Sequence, residues 1–283
     1  MNQVTYIAAG VALTSDTATQ GFNDILLPAV GLLFVVLLVL ETIKPYRRFD
    51  SRIAKNSIIT NTSAFLFNNI ILTVLSASSL FFIAQQFAGY GLLSGMENGV
   101  LKWLLCFVLF DLAIYLYHYA SHHSNFLWRF HKIHHSDKSL NVTTGFRFHV
   151  FDLFIEIIYK CFFVITLGVE AYVVLSLEVI RLFFILFHHA NISFKYDHLL
   201  SYVIITPELH RVHHSTKRSE HDSNYGIALS IWDSMFGTRK ELVPEKIGLD
   251  LVDAENFVQL FCLAFITEKH ISKILSMLPK GRR

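Results

Sequence analysis

Two short segments carry side chains able to do chemistry, and they read almost alike. One is His131-Lys132-Ile133-His134-His135 and the other is His210-Arg211-Val212-His213-His214, each followed by serine. On a helix, positions i, i+3 and i+4 share a face, so each unit presents three imidazoles as half of a metal cage. Two half-cages facing one another would hold two ions. His118 and His122 add a pair at i, i+4, and His149 and His189 stand as singles. Such a set exceeds the needs of one ion, whereas two ions with about four or five nitrogens each fit it. Cys106, Cys161 and Cys262 lie in apolar runs with no Cys-x-x-Cys pair, which argues against a disulfide framework and a thiolate site.

The segments that must position these histidines are apolar. The chain has 283 residues, 53% hydrophobic and 16% charged, where soluble proteins average about 25% charged. Its mean hydropathy is +0.46. These values point to an all-α integral membrane protein, and a formal charge of +2 gives no reason to expect nucleic acid. The expected architecture has about four transmembrane helices and a cytoplasmic helical cap that carries the histidine clusters.

Residues 1–24 lack Lys and Arg, unlike a typical secretory signal, and read as an extracytoplasmic tail. Ile25 to Leu40, or to Ile43, is long enough to span, with Pro28 near its start. Lys44, Arg47, Arg48, Arg52 and Lys55 then mark a cytoplasmic loop. Residues 58–87 are apolar, with Asn61, Asn68 and Asn69 expected to bond to neighbouring helices. Residues 89–99 have no basic side chain and read as outside; 101–117 return inward.

Residues 118–149 form a first polar excursion. Residues 151–167 and 169–187, broken at Gly168, form a hairpin that crosses out and back or a re-entrant pair. Glu156, Lys160, Glu170, Glu178 and Arg181 weaken the spanning assignment there, and Glu178 and Arg181 are spaced to neutralise each other. Residues 190–250 form the second excursion, with helical patterning over 227–236 before Gly237. The membrane-embedded domain is drawn at 25–250, with clusters at 118–149 and 188–214. Residues 251–283 are read as an amphipathic, interfacial helix from Ala254 to Leu278 and a basic cytoplasmic tail.

The pattern resembles the fatty acid hydroxylase / sterol desaturase superfamily of membrane di-iron oxygenases. The matching stretches are His118 to His122, Leu127 to Ser136, Arg147-Phe148-His149, His189-Ala190-Asn191, Thr206 to Ser215, Asn224-Tyr225-Gly226 and Trp232 to Thr238. The resemblance covers roughly residues 100–240. It implies two non-haem iron ions held by histidines, with O2 as co-substrate, and hydroxylation or desaturation of a lipid C–H bond. It also implies His118, His122, His131, His134, His135, His149, His189, His210, His213 and His214 as metal ligands. The family usually continues His-Pro-x-Glu where this chain has His149-Val150-Phe151-Asp152.

Asp111 lies in the middle of an apolar run and is read as orienting a ligand histidine or bonding between helices. Asn191, Asn224 and Asp233 are read as supporting groups. His123 and His188 are left out of the ligand set, and His198, His221 and His270 are given no role at the metal. No Gly-x-Gly-x-x-Gly motif is present, so two electrons per turnover would come from a separate donor, a ferredoxin or b-type cytochrome with its reductase. The expected location is a bacterial inner membrane, with histidine clusters and C-terminus cytoplasmic. Two alternatives remain open at this point: a zinc-dependent membrane lipid hydrolase, and a non-catalytic metal-binding membrane protein.

Overall fold

Apolar runs separated by charged or glycine-rich breaks produce helices that lie side by side, and the polar excursions fold over one end of them. The computed structural model describes residues 17–74, 80–250, 252 and 254–266. α1 (Thr17–Ile43) is followed by α2 (Ser51–Val74), α3 (Leu80–Phe87) and α4 (Val100–His123). Ser124 ends α4 and caps α5 (Asn125–His135), its Oγ accepting from Leu127 N. A 3-10 turn over Val142–Phe146 leads to the hairpin of α6 (Val150–Leu167) and α7 (Ala171–His189). The second excursion contains α8 (Asp197–Leu200), α9 (Pro207–His213), α10 (Arg218–His221) and α11 (Ile231–Met235); α12 (Phe257–Leu263) follows. Among the described residues there are no strands, only two isolated bridges.

Among the described residues, three helices, α2, α4 and α7, are long and apolar enough to cross a membrane. The apolar part of α1, Pro28–Ile43, is shorter, and α6 carries Asp152, Glu156 and Lys160. The expectation of about four spans therefore meets three helices that qualify by length and composition. α1 begins at Thr17, so Pro28 lies inside the helix and residues 17–24 are helical. Of residues 58–87, the described ones fall in α2 and α3. The patterning over 227–236 condenses to the five residues of α11. Of the expected C-terminal helix, α12 is described, and residues 267–283, with His270 and the basic tail, lie outside the described residues.

The α6–α7 hairpin runs away from the histidines for about 27 Å at 1.5 Å per residue. Its tip is Gly168, in the left-handed region at φ 66°. A side chain at Gly91 would strike the Gly168 backbone at 1.8 Å, so two glycines are needed where the α3–α4 connection crosses the tip. Leu92 N and Leu93 N donate to Thr166 O and Leu167 O, each at 2.9 Å, and Lys102 pairs with Glu170 at 2.5 Å. The hairpin thus reaches the level at which α4 begins. Cys106, Phe110, Ile114, Val164 and Leu177 pack between these helices.

At the opposite end, the polar excursions are tied to the apolar helices by buried polar side chains. Glu41, in the last turn of α1, accepts from Val142 N at 2.9 Å and Asn191 N at 3.0 Å, joining both excursions. Asn61 of α2 donates to Asp137 Oδ2 at 2.9 Å and accepts from Arg147 Nη1 at 2.9 Å. Asn68 donates to Phe148 O. These two asparagines bond to the first excursion, while Asn69 bonds within its own helix. Asp137 also accepts from Ser57, Ser139 and Thr144. Burial alone would raise its pKa, but Arg147 and these donors hold it below the ordinary carboxylate value.

Replacing Asp137 with alanine leaves Arg147 buried without its counter-charge and removes the acceptor shared by Ser57, Asn61, Ser139 and Thr144. The expected cost is about 3 kcal/mol, or a melting temperature roughly 10 °C lower, measured by thermal unfolding in detergent. An unchanged melting temperature would show that Asp137 does not hold the excursion in place.

Candidate metal centre

Four helices bring the histidines to one place. α4 ends on His118 and His122, α5 carries His131, His134 and His135, α7 ends on His188 and His189, and α9 carries His210 and His213, with His214 as its cap. Pro207 starts α9, where its missing N–H costs nothing. The ligand nitrogens form two groups. His118, His122, His131, His135 and His213 make one; His134, His189, His210 and His214 make the other, and in each group all nitrogens lie within 4.8 Å of one another. Every one of these nine rings is buried.

Each His-x-x-His-His unit is divided between the groups, which differs from the expected half-cage on one face. His131 and His135 enter the first group and His134 the second; His210 and His214 enter the second and His213 the first. The i, i+4 pairs stay together and the remaining histidine crosses over. The units therefore interlock, and neither group forms without both.

The hydrogen bonds fix which nitrogen is bare. His118 Nδ1 faces Tyr225 O at 2.7 Å, His213 Nδ1 faces Ser223 O at 2.7 Å and His189 Nδ1 faces Ile185 O at 2.7 Å. A carbonyl only accepts, so Nδ1 carries the proton and Nε2 presents a lone pair. Carboxylates hold two more rings the same way: His131 Nδ1 meets Asp152 at 3.0 Å and His122 Nδ1 meets Asp222 at 3.2 Å. Yet Nε2 of His189 sits 3.1 Å from Nε2 of His134 and 3.0 Å from Nε2 of His210, and His122 Nε2 lies 3.1 Å from His135 Nε2. His118, His131 and His213 Nε2 are buried with no hydrogen-bond partner. The bare Nε2 of His189 holds no proton to share between its two neighbours. An ion with metal–nitrogen bonds of about 2.1 Å sets neighbouring ligands about 3 Å apart, the spacing found. The residues fit two metal ions.

A family model described as Fatty acid hydroxylase matches residues 103–238, the segment that holds all nine rings. Over these residues the chain belongs to the fatty acid hydroxylase family. It is 35% identical over 135 residues to the ornithine lipid hydroxylase of Rhizobium tropici, covering 48% of this chain and 40% of that protein. It is 27% identical over 215 residues to the alkylglycerol monooxygenase of Homo sapiens, covering 72% and 46%. Against the human cholesterol 25-hydroxylase it is 25% identical over 155 residues, covering 50% and 53%. The chain thus spans about half or less of the length of these relatives. No solved structure matches it.

Within this hydroxylase-family domain, the other residues singled out from the sequence fall outside the two groups. His149 caps α6, its Nδ1 accepting from Phe151 N at 3.2 Å, and its ring lies against Phe130, Phe151 and Phe261. Asp111 touches no histidine. Its carboxylate accepts from Ala228 N, Leu229 N and Trp232 Nε1, which ties α4 to the second excursion. Asp233 accepts from Tyr225 N and Gly226 N, and so fixes the carbonyl that His118 meets. Asn191 pairs with the Arg47 backbone in both directions. Asn224, at φ 53°, bridges Leu209 O and the Lys240 backbone.

Asp152 and Asp222 do what was expected of Asp111. They contact histidines 21 and 100 residues away in the chain, which no local spacing reveals. His188 is also closer than expected: its ring centre lies 3.9 Å from that of His210, and its Nε2 has no hydrogen-bond partner. A cavity of about 30 Å³ opens beneath both groups and is lined by His118, His131, His134, His189 and His210.

Burial first, and the crowd of neighbouring imidazoles second, hold His134, His135, His210, His213 and His214 well below their ordinary 6.5. The rings are therefore neutral at physiological pH, the form that binds metal. The unfolded chain takes up protons near pH 6.5 where the folded chain does not, so folding stability is full above that value and lost below it. Metal-free protein should hold a constant melting temperature above about pH 7 and lose it steeply below about pH 6. Asp152→Asn should weaken metal binding about 10- to 100-fold, read by competition with a chelator; unchanged affinity would remove Asp152 from any role at His131.

Proposed function

We propose that the protein hydroxylates or desaturates a C–H bond of a lipid, using O2, two iron ions and two external electrons. One observation carries this reading: two groups of bare imidazole nitrogens open onto one cavity at the end of apolar helices. Five nitrogens in the first group exceed the four ligands typical of zinc. Iron so held supplies the reduction of O2 and the removal of hydrogen from an unactivated C–H bond.

The chain's own residues do the rest. Tyr225 and Ser223 carbonyls with Asp152 and Asp222 keep His118, His213, His131 and His122 turned with Nε2 inward. Ile114, Ile185, Ile227 and Phe148 give the cavity an apolar side against which the reacting part of a lipid would lie, opposite the histidines, Asp152, Glu156 and Arg181. The names of the relatives, which act on ornithine lipid, alkylglycerol and cholesterol, support a lipid substrate. The reading assigns the two electrons to a ferredoxin or b-type cytochrome system with its reductase.

The basic segment Lys44 to Lys55 lies at the histidine end, since Tyr46 N and Arg47 N both bond to Asn191. By the positive-inside rule that end faces the cytoplasm of an inner membrane. The far end carries the Gly91–Gly168 crossing and Glu97.

Metal analysis of purified protein should find about two iron ions per chain, as two ligand groups imply. Membranes containing it, supplied with isotopically labelled O2 and a reductase system, should yield a lipid that has gained the label or lost two hydrogens. His134→Ala should bring this product to background. Lipid cleavage without O2, on a zinc-loaded protein, would replace the oxygenase reading with a hydrolase.

A further inference from the structure

Below the histidine groups a second, narrower cavity continues between α4 and α7. It passes Phe107, Phe110, Leu177 and Ile180 and shares Ile114, Arg181 and Ile227 with the cavity above. Arg181 stands at the neck between the two. It is the basic end of a compact ionic set in otherwise apolar surroundings. Arg181 pairs with Glu156 at 2.5 Å and Glu178 at 3.6 Å, and Lys160 pairs with Glu178 at 2.8 Å and Glu156 at 3.2 Å. Two acids and two bases neutralise one another. Both terminal nitrogens of Arg181 are thereby engaged, but its Nε is buried with no hydrogen-bond partner. Charged side chains at such depth are costly, and an unmet N–H adds to that cost.

We propose that Arg181 Nε–H is a recognition point for the lipid, donating to an uncharged oxygen that lies within a few bonds of the reacting carbon. This inference rests on the lipid-oxidising reading above and narrows its substrate class. A tail lying along Phe107, Phe110 and Ile180 would have to widen that cavity, which measures only about 10 Å³, and its leading end beneath the histidines would pass Arg181. An amide, ester, ether or hydroxyl oxygen there satisfies the open donor and leaves the ionic set balanced. A free carboxylate would add an uncompensated negative charge beside Glu156 and Glu178, where low polarity makes such a charge expensive. The favoured substrate is therefore a neutral acyl or alkyl lipid, not a free fatty acid anion.

The test is anaerobic binding to metal-loaded protein in lipid nanodiscs, with three probes of equal chain length: hexadecanamide, hexadecane and palmitate at a pH where it is ionised. Wild type should bind hexadecanamide most tightly. The double variant Arg181→Met with Glu178→Gln keeps the set balanced through Glu156 and Lys160. It should bind hexadecanamide at least about ten-fold more weakly, the effect of one hydrogen bond to a charged donor, with hexadecane unchanged and metal content intact. Arg181→Lys should recover part of the loss. Equal losses for amide and hydrocarbon, tighter binding of palmitate, or loss of metal would each overturn the proposal and leave Arg181 as a strut between α6 and α7. Because no turnover is read, amide binding through Arg181 without oxygen insertion would instead overturn the oxygenase reading alone.

Discussion

The structure depends on lone pairs that face one another. Nine imidazoles are packed into two buried groups, and the rings tied by backbone carbonyls expose nitrogens that cannot donate. Left alone, that arrangement is repulsive and poorly hydrated. It persists because backbone carbonyls and two carboxylates grip the opposite edge of the rings, and because the elements that bear them are fixed elsewhere. The frame holds those nitrogens at the spacing that two ions require.

That frame is built from polar side chains at places where the helices are otherwise apolar. Glu41 reaches from α1 to both excursions, Asn61 and Asp137 tie α2 to the turn after α5, and Asp111 and Asp233 lock the segment from Tyr225 to Trp232. None of these groups touches metal-binding nitrogen. Each sets a backbone segment from which a carbonyl or a histidine then projects. The chemistry of the site is thus carried by imidazole, while its geometry is carried by carboxylates and amides one link away.

The type of the site was legible in the chain because histidine at i, i+3, i+4 is a local pattern with little other use in an apolar protein. Its internal partition was not. Whether His134 joins His131 or His189 depends on how α5 is rolled against α7 and α9, and a three-histidine spacing is compatible with either. Asp152 and Asp222 were missed for a related reason: their partners are set by tertiary packing, and an acid in the first turn of α6 looks like a helix-dipole residue. Asp111 stands out in an apolar run, which fits either orienting a histidine or bonding between elements, and the second is what the structure shows. It stands out because three donors of a distant segment need an acceptor there. His149 shares the family's Arg-x-His pattern, yet its Nδ1 is consumed in capping α6. Hydropathy located the helices but not their ends, since Thr17 to Asp24 continues α1 with no apolar signal.

Interlocking of the two units has a consequence for assembly. The first group draws on α4, α5 and α9, and the second on α5, α7 and α9, so one ion in either joins the two excursions across the bundle. Filling one group fixes α5 and α9 and with them six rings, His131, His134, His135, His210, His213 and His214, which are divided between the two groups. The second group is then preorganised, because its ligands have already lost their freedom. Binding of the two ions should therefore be cooperative without any direct contact between them. The coupling element is the pair of short helices, α5 and α9, each of which holds ligands for both ions. A protein built from two independent half-cages would lack it. Division of each histidine unit is what makes metal binding and closure of the polar cap a single event.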